Sequence, residues 1–170
     1  DTHGVGTLDA IIFRYAEVLL IRAEAGAELG KDPELDLTVN ALRKRVGFNV
    51  KLTSSPATDP KLVAKHPIIK GTNADLIREI RRERRVELFG EGLRYADLMR
   101  WGCGERLVAP KAGMMLYTDV YTPEEIAVLK TEVGTYADGS LDVYGKRVTT
   151  PAIFESPKHY LFSLPLNEMA

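Results

Sequence analysis

A single cysteine, Cys103, stands in 170 residues, so the chain can form no internal disulfide and no cysteine-built zinc site. An excess of either charge is also missing. Lys and Arg number 23 against 24 Asp and Glu, a net charge of −1. Dedicated nucleic-acid binders carry a basic excess, so no nucleic-acid partner is expected. Long apolar runs are absent too. The longest, near Val18 to Ile21, is flanked by Glu17 and Arg22, far short of the roughly 20 residues of a membrane span. The three histidines, His3, His66 and His159, lie on separate segments, and no metal is expected. Gly102-Cys103-Gly104 is too short for a phosphate loop, and no Gly-x-Ser-x-Gly elbow occurs. No cofactor or catalytic residue follows from these patterns. Asp1 to Thr7 reads as a polar loop without a signal peptide, and the chain stops just after Leu164-Pro165-Leu166. It is therefore expected to be a fragment, with any targeting signal upstream.

What is present is helical periodicity. From about Asp9 to Leu29, Ile12, Ala16, Leu19, Ala23 and Ala27 recur at spacings of 3 and 4, with Gly30 placed to end the helix. Asp32-Pro33-Glu34 reads as the next helix start, followed by Leu35, Val39, Leu42 and Val46 and closed by Gly47. These two helices, about 9–47, should pack as an antiparallel hairpin. Phe48 to Gly71 reads as a long loop. A third helix, from Asn73 as N-cap to Phe89, carries Leu76, Ile77, Ile80 and Leu88. A fourth, Glu91 to Trp101, carries Leu93, Ala96, Leu98 and Trp101. Gly90 and Gly92 bracket their join, giving a second hairpin over about 73–101.

Residues 102–170 read as loop-rich. Thr122-Pro123-Glu124-Glu125 is a capping box opening a short helix to about Glu132. Asp138-Gly139-Ser140 and Tyr144-Gly145-Lys146 are turn signals, with Val143 and Val148 on short strands. The predicted fold is mainly α: stacked antiparallel helix hairpins, tetratricopeptide-like, with long irregular loops and minor β.

The most unusual stretch is Arg78 to Trp101. From Asn73 to Trp101 there are seven arginines and six acids. Glu83 and Glu87 share a helical face, and Arg84 interrupts the apolar line from Ile80 to Leu88. Glu91, Arg94, Asp97 and Arg100 repeat every three residues. A carboxylate pair on adjacent turns of one helix fits acid–base catalysis poorly, and interleaved acids would repel phosphates. The reading adopted is a structural network in which arginine forks and carboxylates pair across the second hairpin, joined by Arg14. Glu83→Ala should then destabilise the fold by leaving an arginine partly buried and unpaired.

Two blocks resemble the RagB/SusD family of nutrient-binding outer-membrane lipoproteins. The first runs from Arg14-Tyr15-Ala16-Glu17 to Ala23-Glu24-Ala25, followed by Ala41-Leu42-Arg43-Lys44-Arg45-Val46-Gly47. The second is Ile80-Arg81-Arg82-Glu83-Arg84-Arg85-Val86-Glu87-Leu88 with Glu91-Gly92-Leu93-Arg94-Tyr95-Ala96-Asp97-Leu98-Met99-Arg100-Trp101-Gly102. The ending Tyr160 to Glu168 is similar to the family's closing segment. The resemblance implies a C-terminal portion of such a protein, spanning 1–170. It further implies a lipid anchor upstream, a place on the extracellular face of the outer membrane, and a role in polysaccharide utilisation without catalysis. It also implies capture of oligosaccharide, less so peptide, for a TonB-dependent (SusC-like) transporter. Trp101 is assigned to packing. Tyr117, Tyr121, Tyr136 and Tyr144 are the candidate ligand contacts, since sugar faces stack on aromatic rings. A helical-repeat adaptor between proteins is the alternative from another class.

Overall fold

A computed structural model describes residues 12–108, 112–116, 119–142 and 152–161. They belong to two compact units, residues 1–97 and residues 98–170. Six α-helices and a two-stranded sheet are present among them, so the fold is mainly α with minor β, as expected.

The first unit is built around α1 (Tyr15–Glu28) and α4 (Ala74–Glu87), which pack on each other. Ala16, Leu19, Ala23 and Ala27 face the core as their spacing predicts, and Leu20 joins them. Ile12, by contrast, is 89% exposed, because the helix begins three residues later and leaves it outside. From α4, Leu76, Ile77 and Ile80 fill the same core. Leu20, Ile80 and Val39 are wholly buried, and burying such a side chain contributes about 1.5–3 kcal/mol. Gly30 ends α1 in the left-handed region (φ 65°). Lys31 N–H reaches Gly26 O at 2.8 Å and Gly30 N–H reaches Ala27 O at 3.2 Å.

The second helix starts later than Asp32-Pro33-Glu34 predicts. Asp32 Oδ1 accepts the Glu34 N–H at 2.8 Å, and Glu34 itself takes φ 48°, which no α-helix contains. α2 runs Val39–Arg45, and Val46 lies 66% exposed beyond it. The region expected to be loop contains α3 (Pro60–Lys65), whose N-cap Asp59 accepts the Lys61 N–H at 2.8 Å. Asn73 occupies the N-cap position of α4 without capping it. Its amide instead donates to Ala27 O at 3.0 Å, tying the end of α1 to the start of α4.

α5 (Arg94–Arg100) follows α4 and crosses the boundary between the units. In the second unit Leu98, Trp101 and Cys103 are buried together, with Leu107 against them, which bears out the packing role of Trp101. Ala96 is exposed and outside the core. α6 (Pro123–Glu132) carries both halves of the capping box, Glu125 N–H to Thr122 Oγ1 and Thr122 N–H to Glu125 Oε2. β1 (Ala112–Met115), absent from the sequence reading, pairs antiparallel with β2 (Ser140–Asp142). An irregularity in the pairing lies between Ala112 and Met115. The Asp138-Gly139-Ser140 turn leads into β2, with Tyr136 N–H on Ser140 O at 2.8 Å. Val143, Val148 and Tyr144-Gly145-Lys146 lie outside the described residues.

Candidate functional site

Arginines cannot give up their charge, so a buried one requires a carboxylate or several carbonyls. α4 contributes three buried arginines, Arg78, Arg81 and Arg84, and each finds such partners. Arg81 reaches Glu24 at 3.0 Å and Glu28 at 2.9 Å, both on α1. Arg84 places Nε between the two oxygens of Asp97 at 2.8 and 2.9 Å and Nη2 on Glu17 at 3.1 Å. Arg78 reaches Asp75 at 2.8 Å and Ile69 O at 2.6 Å. Glu83 accepts Nε and Nη2 of Arg43, on α2, at 3.0 and 2.7 Å. Glu87 holds Arg14 and Arg45, each at 2.6 Å, and Arg14 also reaches Glu91 at 2.6 Å.

Of the residues singled out from sequence, Arg14, Glu87 and Glu91 therefore meet, and so do Arg84 and Asp97. Glu83 turns instead to Arg43. Arg94 and Arg100 stand at the two ends of α5, and the Arg100 guanidinium lies 4.8 Å over the Trp101 ring. The pairs run chiefly from α4 to α1 and α2, whereas the sequence reading had them crossing from α4 to α5. Arg43, Arg45, Arg81, Glu17, Glu24 and Glu28 were missed. A signal for three of the partners exists, since Glu17, Glu24 and Glu28 keep the 7- and 4-residue spacing of one α1 face.

Electrostatics follow the geometry. Hydrogen bonds that Arg14 donates to Glu91 and then to Glu87 raise its guanidinium above its ordinary value, and Arg14 holds Glu91 below the usual carboxylate range. Glu79, 7% exposed and paired with Arg82, moves the other way, because burial outweighs the nearby cations. Glu87 and Glu91 thus tie Arg14 to the end of α4, whereas Glu79 pairs within α4.

The aromatic candidates divide. Tyr117 and Tyr144 lie outside the described residues. Tyr136 is half-buried and donates its hydroxyl to Asp142 Oδ1 at 2.9 Å, a strand-fixing role. Tyr121 is half-buried beside α6, its oxygen 3.5 Å from Met114 Sδ. Tyr160, not singled out beforehand, accepts the Gly104 N–H at 2.8 Å and donates to Glu105 at 3.2 Å. Burial raises its phenol despite the first of those bonds.

Open clefts lie on the first unit among the described residues. One of about 800 Å³ sits at the C-terminal end of α2 and is lined by residues between Asp36 and Lys51, including Arg43, Lys44, Phe48 and Asn49. A second of about 530 Å³ adjoins it along Asp32 to Ser54. A third of about 350 Å³ lies among Ile12, Phe13, Arg14, Glu17, Glu91 and Leu93. Among the described residues no group of His, Cys, Asp and Glu is arranged to hold a metal, and no helix is long and apolar enough to cross a membrane.

The locked α1–α4 frame coincides with the two blocks that resemble the RagB/SusD family, and the family model described as the SusD family matches residues 1–169. The chain belongs to the SusD family. It is similar to a SusD-like protein, P38, of Formosa agariphila, 36% identical over 104 residues, which cover 61% of this chain and 19% of that protein. Its fold is similar to the crystal structure of a SusD-like carbohydrate-binding protein from Bacteroides fragilis. The TM-score there is 0.61 at 30% identity, covering 93% of this chain and 27% of the other. The chain thus spans well under a third of the length of either SusD-family relative.

Proposed function

We propose that this chain is the C-terminal portion of a surface lipoprotein that captures extracellular nutrient without catalysing a reaction. The cargo is a glycan in preference to a peptide. It is delivered to a TonB-dependent, SusC-like transporter from the extracellular face of the outer membrane. The observation that carries this reading is the SusD-family match over residues 1–169, reinforced by likeness to a carbohydrate-binding member at 30% identity. The arginine–carboxylate pairs that tie α4 to α1 and α2 support a rigid scaffold, which suits a binding protein because pre-organisation lowers the cost of association. Tyr121, half-buried and with only the weak acceptor Met114 Sδ against its hydroxyl among the described residues, is of the candidate tyrosines the one proposed to meet a sugar.

The test is a screen of the full-length protein against polysaccharides and mixed peptides by affinity electrophoresis, with detergent co-purification of the transporter from the native membrane. Saturable retardation by a glycan and recovery of a TonB-dependent transporter are expected. Retardation by peptides alone moves the cargo to peptide. Failure with every polysaccharide and peptide, together with a transporter-free eluate, overturns the reading.

A further inference from the structure

We propose that the cleft at the C-terminal end of α2 is a saccharide subsite that takes an acidic sugar, with the Phe48 ring as its platform. This inference rests on the glycan-capture reading and names a site and a substrate class for it.

The ring is exposed yet fixed. Phe48 is 51% exposed. Its backbone is set by the end of α2, where Gly47 takes φ 77°, Gly47 N–H reaches Lys44 O at 3.1 Å and Phe48 N–H reaches Arg43 O at 2.9 Å. Its ring packs on the Arg43 guanidinium, 5.4 Å from the ring centroid. Arg43 is itself immobilised by Glu83 and by Val50 O at 3.1 Å. A ring held in this way loses little freedom when a ligand arrives. Half-exposed, it offers apolar surface to the C–H face of a pyranose.

The groups around the ring suit the rim of a sugar. Asn49 is exposed and supplies both donors and an acceptor. The cleft wall carries Arg43, Lys44, Arg45 and Lys51 against a single carboxylate, Asp36. Asp36 is engaged by Lys51 at 2.9 Å, which with Asn40 holds it below the usual carboxylate range, and Arg43 is engaged by Glu83. Lys44 has no ion pair among the described residues, and Arg45 is half-exposed with Nη2 on Glu87. Lys44 is therefore left to receive a carboxylate or sulfate through a charge-assisted hydrogen bond. The volume, about 800 Å³, lies within the roughly 300–1,000 Å³ usual for small-ligand sites.

The test titrates the full-length protein, wild type, Phe48→Leu and Lys44→Ala, with polygalacturonate and alginate as acidic probes and galactan as the neutral one. Phe48→Leu keeps apolar volume and removes the flat ring, and thermal melts verify that both variants fold. Wild type should bind an acidic probe. Phe48→Leu should weaken that binding roughly tenfold, the order of one well-placed contact, and Lys44→Ala should weaken it without strengthening galactan binding. Acidic-probe affinities in both variants equal to wild type overturn the subsite while leaving glycan capture intact. Wild-type binding of galactan alone also overturns it. Binding of none of these probes overturns the subsite as well, and the wider polysaccharide and peptide screen then decides whether glycan capture falls with it.

Discussion

Arg43 and Arg84 have side chains only 6% and 5% exposed, and neither can shed its charge. Each relies on a carboxylate from a distant part of the chain, Glu83 and Asp97. Removing one member of a buried pair costs about 3–5 kcal/mol, since the other charge stays buried and uncompensated. Glu83→Ala leaves Arg43 with Val50 O and the Phe48 ring but no carboxylate among the described residues, so a drop in stability of that order is expected in urea melts. Overlaid curves would deny that the pair is buried in any energetic sense. Glu79 gives a pH signature. Its carboxyl titrates above the ordinary carboxylate range because it is buried. Between the ordinary and the raised value the native state holds a proton that the unfolded chain has released. Stability therefore falls as pH rises through that interval. Glu79→Gln removes this dependence, so its melting temperature should gain on wild type as pH climbs from acid towards neutral. A pH-independent difference between the two would contradict it. The lowered carboxyls of Glu91 and Asp75 lose stability on acidification in both proteins and cancel in the comparison.

At the scale of elements, small residues set how closely segments approach. A Cβ on Gly26 would lie 2.9 Å from Pro33 Cα and 3.0 Å from Asp32 O, backbone atoms that cannot swing aside. Gly26→Ala should cost about 1–3 kcal/mol through overpacking, read as a lowered denaturation midpoint. α6 has no buried residue among its ten, so its ends decide its stability. Thr122→Ala should cost about 1 kcal/mol of local stability, seen as faster amide exchange confined to α6. That helix was legible because its start signal is local chemistry that no tertiary contact opposes. Asp32-Pro33-Glu34 carried the same signal and misled, because Asp32 capped a turn and Glu34 left the helical region. Asp59-Pro60 went unread inside a stretch read as a long loop, although its aspartate does cap a helix. Proline next to an acid thus marks a change of direction, and packing decides whether a helix follows.

Across the whole molecule, the core positions of α1 and α4 were readable because helical period and burial coincide there. Which arginine meets which carboxylate was less so. Glu83 had candidate cations on its own and the next helix, and only the approach of α2 selects Arg43. Phe48 escaped notice since an isolated apolar residue after Gly47 looks like an ordinary helix terminus, and its exposure is a property of the folded surface. Calorimetric titration of the full-length protein with the polysaccharide that retards it, followed by size analysis of the recovered sugar, tests most directly the proposal that this SusD-family chain serves a protein that binds glycan and leaves it intact. Saturable heat with an unchanged chain-length distribution is the predicted result. Shortened chains, or heat only with peptides, would contradict it.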